Sequence, residues 1–125
     1  MTPTEICLKE FELFEKGDME EWANLCSPDY VFKAAGNLPW SGTFHGVDDV
    51  IENCFSVLAE NLPDLKMTIL QTWEVDGTVF LKIQANSELF DEPIENLHME
   101  IISDGKIVFA QTFDDSQKIA EALAE

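Results

Sequence analysis

Basic residues are scarce in this sequence. Seven Lys and Arg residues stand against 25 Asp and Glu residues, which gives a formal charge of −18 over 125 residues. A chain this acidic repels the phosphate backbone of nucleic acids and the anionic surface of a membrane, so we expect neither as a partner. The charge is typical of a well-solvated surface, and an acidic docking face for a basic partner is the alternative.

Long apolar runs and metal-binding patterns are also missing. No stretch approaches the ~20 apolar residues of a membrane span, and the N-terminus lacks a basic start followed by an apolar run. The three cysteines, Cys7, Cys26 and Cys54, are isolated, and their odd number cannot pair fully within one chain. No His or Cys has a second such residue at a metal-binding interval. These absences predict a cytoplasmic protein with reduced thiols and with neither a metal nor another cofactor.

The sequence does contain enough apolar residues for one packed core. Hydrophobic residues make up 46% of the chain, and nine Phe and three Trp residues provide large side chains for a core or a cavity wall. A chain of this length matches the usual size of one domain and is too short for two. No repeat, low-complexity stretch or linker interrupts it, so we predict a single domain over residues 1–125.

Three helices are predicted in the first half of the chain. Thr2 caps the first one, which continues with apolar residues at helical spacing as far as Gly17, a residue typical of helix C-termini. Asp18 then caps a short second helix. The third helix covers residues 47–62, where apolar residues recur at intervals of three and four, and Pro63 ends it.

The second half of the chain is typical of β-strands. Asp76-Gly77 and Asp104-Gly105 each lie between β-rich runs, as tight hairpin turns do. With an earlier strand at residues 30–35, they predict an α+β fold in which three helices pack on one face of a curved, mostly antiparallel sheet of about five strands. The two hairpins pair residues 66–75 with 78–87 and residues 97–103 with 106–113, and a last short helix is expected at residues 117–124.

Several short motifs, in their order along the chain, carry a resemblance to a known family. They are Glu15-Lys16-Gly17-Asp18, Pro39-Trp40-Ser41-Gly42, Thr43-Phe44-His45-Gly46 and Asp104-Gly105-Lys106-Ile107-Val108. Over nearly its whole length the chain resembles the nuclear transport factor 2-like superfamily, in particular SnoaL-like polyketide cyclases and ketosteroid isomerase relatives. The resemblance implies a cystatin-like cone whose helices close a small-molecule cavity, and a homodimer formed through the outer face of the sheet.

The resemblance does not extend to the chemistry of the steroid isomerases. Those enzymes use a Tyr, a carboxylate base and a protonated Asp. Aligned on the shared motifs, this sequence has Glu10 at the position of the Tyr, Lys33 at that of the base and Leu97 at that of the protonated Asp. Neither the proton acceptor nor the donor pair is retained, so we do not expect steroid isomerisation by that route.

Asp114 is the residue that the resemblance marks for catalysis, because cyclases and epoxide hydrolases of the superfamily carry an acidic residue on the last strand. If Ala110, Thr112 and Asp114 face inward by the period-two rule, Asp114 acts as general acid or base in the cavity. The alternative is that Asp114 and Asp115 end the strand at the surface. Lys33 either faces inward, to bind a carboxylate or enolate or to pair with Asp114, or lies outward at the sheet edge.

The cavity wall is expected to be largely apolar and aromatic. If Leu97 faces inward, as its family position implies, the neighbouring His98 faces the outer side of the sheet. On the strand at residues 78–87 either the apolar or the polar side lines the cavity, and burial favours the apolar side. For the aromatic candidates, core packing is the alternative. The candidates for substrate binding are Phe14, Lys33, Trp40, Phe55, Leu97, Ala110 and Thr112.

Two functions remain open from the sequence. The first is a cofactor-independent cyclase, isomerase or hydrolase that acts on a small, largely apolar oxygenated molecule, with Asp114 as acid or base and Lys33 as its charge partner. The second is a non-catalytic ligand-binding or dimerisation module of the same fold. An enclosed Asp114 beside a void favours the enzyme, and a solvated Asp114 over a filled core favours the module.

Overall fold

One sheet of six strands forms the framework of the protein. The structure is a computed structural model, and it describes residues 1–124. The strands are β1 Cys26–Ala34, β2 Gly42–His45, β3 Lys66–Val75, β4 Thr78–Asn86, β5 Ile94–Ser103 and β6 Lys106–Phe113. They lie in the order β2-β1-β6-β5-β4-β3, and neighbouring strands are antiparallel except for the parallel pair of β1 and β6.

The helices begin and end close to the residues that the sequence marks. The Thr2 side chain accepts a hydrogen bond from the Glu5 N–H, Glu5 in turn accepts one from the Thr2 N–H, and the first helix ends at Gly17 with a left-handed φ of 73°. The helices are α1 Pro3–Lys16, α2 Met19–Asn24, α3 with the segments Val47–Val50, Ile51–Phe55 and Ser56–Asn61, and α4 Ser116–Leu123. Among residues 1–124, no helix is both long and apolar enough to cross a bilayer.

The middle segment of α3 is a π-helical turn, Ile51–Phe55. The Ile51 carbonyl oxygen accepts hydrogen bonds from both the Ser56 N–H and the Ser56 hydroxyl, the latter at 2.8 Å. A π turn accommodates an extra residue and changes the direction in which the following side chains leave the helix. It lies next to the cavity described below, where Phe55 is one of the wall residues.

The sheet differs from the sequence-based prediction in its first two strands. β2 was not predicted, because its four residues, Gly42–His45, are too few to show an alternating pattern. β1 begins at Cys26, earlier than the expected residue 30, and its pairing with β6 shifts register between Cys26 and Val31. Pro28 lies in this interval and has no N–H for the ladder, which accounts for the break.

The two faces of the sheet have different environments. The alternate residues Val79, Leu81, Ile83 and Ala85 of β4 are buried beneath the helices, and the residues between them face the other side. The sequence favoured this orientation, in which the apolar side of the strand is the buried one. The two hairpins have the predicted Asp-Gly turns, with β3 paired to β4 and β5 paired to β6. The helices thus cover one face of the sheet, and the opposite, outer face is left without a covering layer within residues 1–124.

Candidate functional site

A cavity lies between the covered face of the sheet and the helices α1 and α3. Its volume is about 100 Å³, which exceeds the space that one water molecule occupies. Side chains from all four helices, from strands β1, β3, β4, β5 and β6 and from the loops that contain Trp40 and Phe90 line it. The aromatic members of the wall are Phe11, Phe14, Trp22, Phe32, Trp40, Phe55 and Phe90.

Phe55 is the centre of the aromatic part of the wall. Its ring centroid lies 5.0 Å from that of Phe14, 5.1 Å from that of Trp22 and 5.8 Å from that of Phe32, all in tilted or edge-to-face arrangements. Such pairs are favourable beyond the area they bury and fix the rings relative to one another. Trp40 is buried and also borders the cavity, so the predicted wall residues Phe14, Trp40 and Phe55 all lie at the site.

The opposite wall is polar and comes from two neighbouring strands. Alternate residues of β5, namely Asn96, His98 and Glu100, face the cavity, and so do Thr112 and Asp114 at the end of β6. Thr112 lies opposite His98 in the ladder. At about 3.3 Å per residue, Glu100 and Asn96 lie roughly 13 Å apart along β5, so the polar row reaches from one end of the cavity to the other.

Two buried glutamates form one end of this row. Glu100 is 1% exposed and Glu10, on α1, is 8% exposed. The Trp22 Nε1–H donates to Glu10 Oε2 at 3.1 Å, and Glu10 and Glu100 both line the cavity. Neither oxygen of Glu100 has a hydrogen-bond donor within the described residues.

Burial raises the pKa of both glutamates, and for Glu100 the charge of Glu10 raises the pKa further. A hydrogen bond from Trp22 opposes the rise for Glu10. The pKa of the neighbouring Cys7 thiol is raised mainly by desolvation and further by the same two carboxyls. Both carboxyls are therefore more easily protonated than exposed glutamates.

His98 lies inside the cavity, which corrects the expectation that it faces the outer side of the sheet. Its ring centroid is 5.3 Å from that of Phe11. The ring is half-buried because it borders the void, and desolvation lowers the pKa of His98 to about 4. His98 is therefore a neutral imidazole at neutral pH.

Asp114 borders the other end of the cavity. It is half-buried, and burial, followed by the charge of Asp115, raises the pKa of the Asp114 carboxyl to about 6. Ala110 and Thr112 line the cavity on the same side of β6, and the Thr112 hydroxyl oxygen accepts a hydrogen bond from the Ala35 N–H at 2.9 Å. Asp114 thus lies beside a void and not at an open surface.

Two of the predicted site residues lie elsewhere. Lys33 is exposed and pairs with Gln111 of β6, whose neighbours Ala110 and Thr112 face the cavity, so the Lys33 side chain is on the outer face. Leu97 is on the outer face as well, because it follows Asn96 and precedes His98, which both face inward. The alignment with the family was therefore one residue out of phase on both β1 and β5. Because Lys33 lies on the outer face, it does not pair with Asp114.

Glu100 is a site residue that was not predicted from the sequence. On β5 the polar residues Asn96, His98 and Glu100 alternate with the apolar residues Leu97, Met99 and Ile101. This alternation was available in the sequence, but its usual interpretation turns the polar side toward water. In the structure the polar side faces the cavity and the apolar side faces outward.

The fold is an α+β arrangement in which a curved sheet and its helices border a cavity, and the comparisons give its family. A family model of the SnoaL-like domain matches residues 9–120. The chain therefore belongs to the SnoaL-like domain family. No curated protein matches the sequence. Within residues 1–124, no group of three or more His, Cys, Asp or Glu side chains is placed to hold a metal ion.

Solved structures show that the chain has a nuclear transport factor 2-like fold. An NTF2-like protein from Burkholderia thailandensis E264 superposes with a TM-score of 0.84, at 19% identity over 98% of both chains. TerC, co-crystallised with polyporic acid, superposes with a TM-score of 0.84, at 18% identity over 98% of both chains. IdmH, a candidate polyketide cyclase from Streptomyces antibioticus, superposes with a TM-score of 0.81, at 19% identity over 100% of both chains.

Proposed function

We propose that the chain, as a single domain over residues 1–125, binds a small molecule in its cavity and uses Asp114 as a cofactor-independent acid and base. The observation that carries this proposal is a half-buried carboxyl with a pKa of about 6 beside a largely aromatic void. A group that titrates near neutral pH accepts and returns protons efficiently. The similarity in fold to a candidate polyketide cyclase is in keeping with this chemistry.

The reaction that best fits the site is proton abstraction next to a carbonyl group. At neutral pH Asp114 is mostly ionised and takes the proton from the carbon. The C–H bond breaks, its electron pair moves toward the carbonyl oxygen as an enolate, and Asp114 becomes protonated. In a cyclisation, the enolate carbon attacks a second carbonyl, the π electrons of that carbonyl move to its oxygen, and the resulting alkoxide takes the proton from Asp114. In an isomerisation, Asp114 returns the proton to the enolate carbon.

The surrounding residues support this step without taking a charge of their own. Thr112 accepts a hydrogen bond from the Ala35 N–H, so its own O–H remains available to a ligand oxygen. Ala110 leaves room beside it, and Phe14, Trp40 and Phe55 bound the space for an apolar ligand body. Lys33 and Leu97 have no part in this proposal because they lie on the outer face.

The test is deuterium exchange at the α-carbon of a small ketone such as butanone in D₂O, followed by NMR. We expect the protein to accelerate exchange and Asp114→Asn to lose about 100-fold or more of that acceleration. Asp76→Asn, the same substitution in an exposed hairpin turn, is the matched control and retains it. Equal exchange rates for the protein and Asp114→Asn would remove Asp114 from the mechanism.

A non-catalytic ligand-binding module is the second candidate. The observation that favours it is the small size of the cavity, about 100 Å³, which is below the usual range for enzyme pockets of roughly 300 Å³ and more. Binding of the ketone without any accelerated exchange would establish this candidate over the enzyme.

We also propose that two copies of the chain associate through the outer face of the sheet. Trp73 and Phe113 on this face are 43% and 47% exposed, and Phe80, Met99 and Ile101 lie between them across the strands. A contiguous apolar surface of this kind is typical of a protein interface. Lys33 and Lys82 on the same face reduce the local repulsion between two strongly acidic chains.

A further inference from the structure

The cavity contains an excess of negative groups. Three carboxyls, those of Glu10, Glu100 and Asp114, line it, and among the residues that the structure describes no Lys or Arg lines it. His98, the one other ionisable group of the polar row, is neutral at physiological pH because of its burial. Within the described part of the chain, these carboxyls therefore have no protein cation as a partner.

The unsatisfied atoms in the cavity are all hydrogen-bond acceptors. Within residues 1–124, Glu100 Oε1 and Oε2, Asn96 Oδ1 and Asp114 Oδ1 are buried without a donor. Buried acceptors without donors destabilise the folded protein, and more so when they are charged. A ligand that supplies donors would remove this cost.

Seven aromatic rings line the cavity together with its polar row. Trp22 and Phe55, packed edge to face, lie close to the glutamate pair, since Trp22 donates directly to Glu10. Aromatic rings attract a cation when it is desolvated beside them. Buried carboxyls next to aromatic rings form a favourable binding environment for an ammonium group. In addition, the net charge of −18 attracts cations to the protein as a whole.

We propose that the natural ligand carries a protonated amine, which binds at the Glu10–Glu100 end of the cavity between the carboxyls and the aromatic wall. This inference rests on the proposed function, because it assumes that the cavity is the ligand site, and it names the class of ligand. The amine hydrogens bind the free oxygens of Glu100, and the apolar body of the ligand extends along the polar row toward Asp114. Anchoring and proton transfer are therefore assigned to opposite ends of the cavity.

The inference is tested with three probes that share one ring and differ only in their polar group: benzylamine, benzyl alcohol and benzoate. A closed apolar cavity of about 150 Å³ is known to hold a benzene ring, and the cavity found here is smaller. A second, narrower series of n-butylamine, n-butanol and butyrate is therefore used as well. We expect the amine of either series to bind about tenfold more tightly than the alcohol, and the carboxylate not to bind. Titration calorimetry, supported by the fluorescence of Trp22 and Trp40, measures the affinities.

Glu100→Gln identifies the anchor. It keeps the shape of the side chain and removes its charge, and we expect it to weaken amine binding about tenfold without changing the affinity for the alcohol. Glu95→Gln is the matched control, because Glu95 is on the same strand but exposed and paired with Lys82 at 3.2 Å. Glu10→Gln is a second variant with the same expected loss, and thermal unfolding verifies that each variant is folded.

The two proposals fail in different ways. If the alcohol binds as tightly as the amine, or if Glu100→Gln leaves amine binding unchanged, the amine inference is wrong while the cavity remains a ligand site. If the amine binds as expected but Asp114→Asn leaves ketone exchange unchanged, the anchor is correct and the catalytic proposal is wrong.

Discussion

The substitution His98→Gln tests the description of the cavity as a water-poor space. His98 borders the void beside Phe11 and opposite Thr112, and desolvation lowers its pKa to about 4 from an ordinary value of 6.5. In the unfolded chain the same imidazole takes a proton near pH 6.5. Because the unfolded state binds the proton more readily, His98 contributes stability that is fully present above pH 6.5 and is lost as the pH falls toward 4.

The size of the effect follows from the two pKa values. Lowering a pKa from 6.5 to about 4 corresponds to about 3 kcal/mol, which is reached near pH 4, and about 2 kcal/mol is already lost at pH 5. Glutamine is neutral at both pH values and has no such loss. We therefore expect the free energy of unfolding of the wild-type protein, relative to His98→Gln, to decrease by about 2 kcal/mol between pH 7 and pH 5.

Urea unfolding followed by the fluorescence of the three Trp residues measures both proteins at each pH. Asp114, Glu10 and Glu100 have raised pKa values, so their contributions have the opposite sign and increase stability as the pH falls. Both proteins share these contributions, and the comparison cancels them. Parallel pH profiles would refute the reasoning, because they would mean that His98 is hydrated or is paired with an ionised carboxylate.

Two further predictions concern the scaffold. Gly36→Ala should destabilise the protein by about 2–4 kcal/mol in urea unfolding, because the φ of Gly36 is +81° and a Cβ there would lie 2.4 Å from Ser116 Cβ. The control Gly17→Ala, at a φ of +73° but with open space around it, should cost only about 1–2 kcal/mol, and equal losses for the two variants would contradict the clash. Phe113→Glu should convert a dimer to a monomer in sedimentation velocity, whereas the control Leu89→Glu, at a similarly exposed site off the sheet, should leave the dimer intact. If the wild-type protein itself is a monomer at micromolar concentration, the dimer is excluded.

The elements of the fold could be predicted where single residues fix the backbone. Thr2, Gly17 and Pro63 mark helix ends by capping, by a left-handed conformation and by the loss of an N–H, and the Asp-Gly pairs mark the two hairpins. These effects are local, so the sequence alone contains them. The strand β2 and the early start of β1 depend on pairing with distant residues, and no local signal encodes them.

The site was only partly predictable, because the phase of a strand is a tertiary property. On β6, the side that carries Ala110 and Thr112 was placed inward and does line the cavity. On β5, the phase was taken from the family position of Leu97 and was wrong by one residue. A shift of one residue exchanges the two faces of a strand, so it hid Glu100 and moved His98 to the wrong side.

β4 and β5 are neighbours in one sheet, yet their patterns are inverted relative to each other. β4 turns Val79, Leu81 and Ile83 toward the helices, whereas β5 turns Asn96, His98 and Glu100 toward them and leaves its apolar side outward. Burying such a polar row costs stability, and so does exposing the apolar side. A chain that needed only to fold would place the apolar side of β5 inward, as it does on β4. That it does the reverse is explained if each face of β5 meets a partner, a ligand with hydrogen-bond donors in the cavity and a second chain on the outer face.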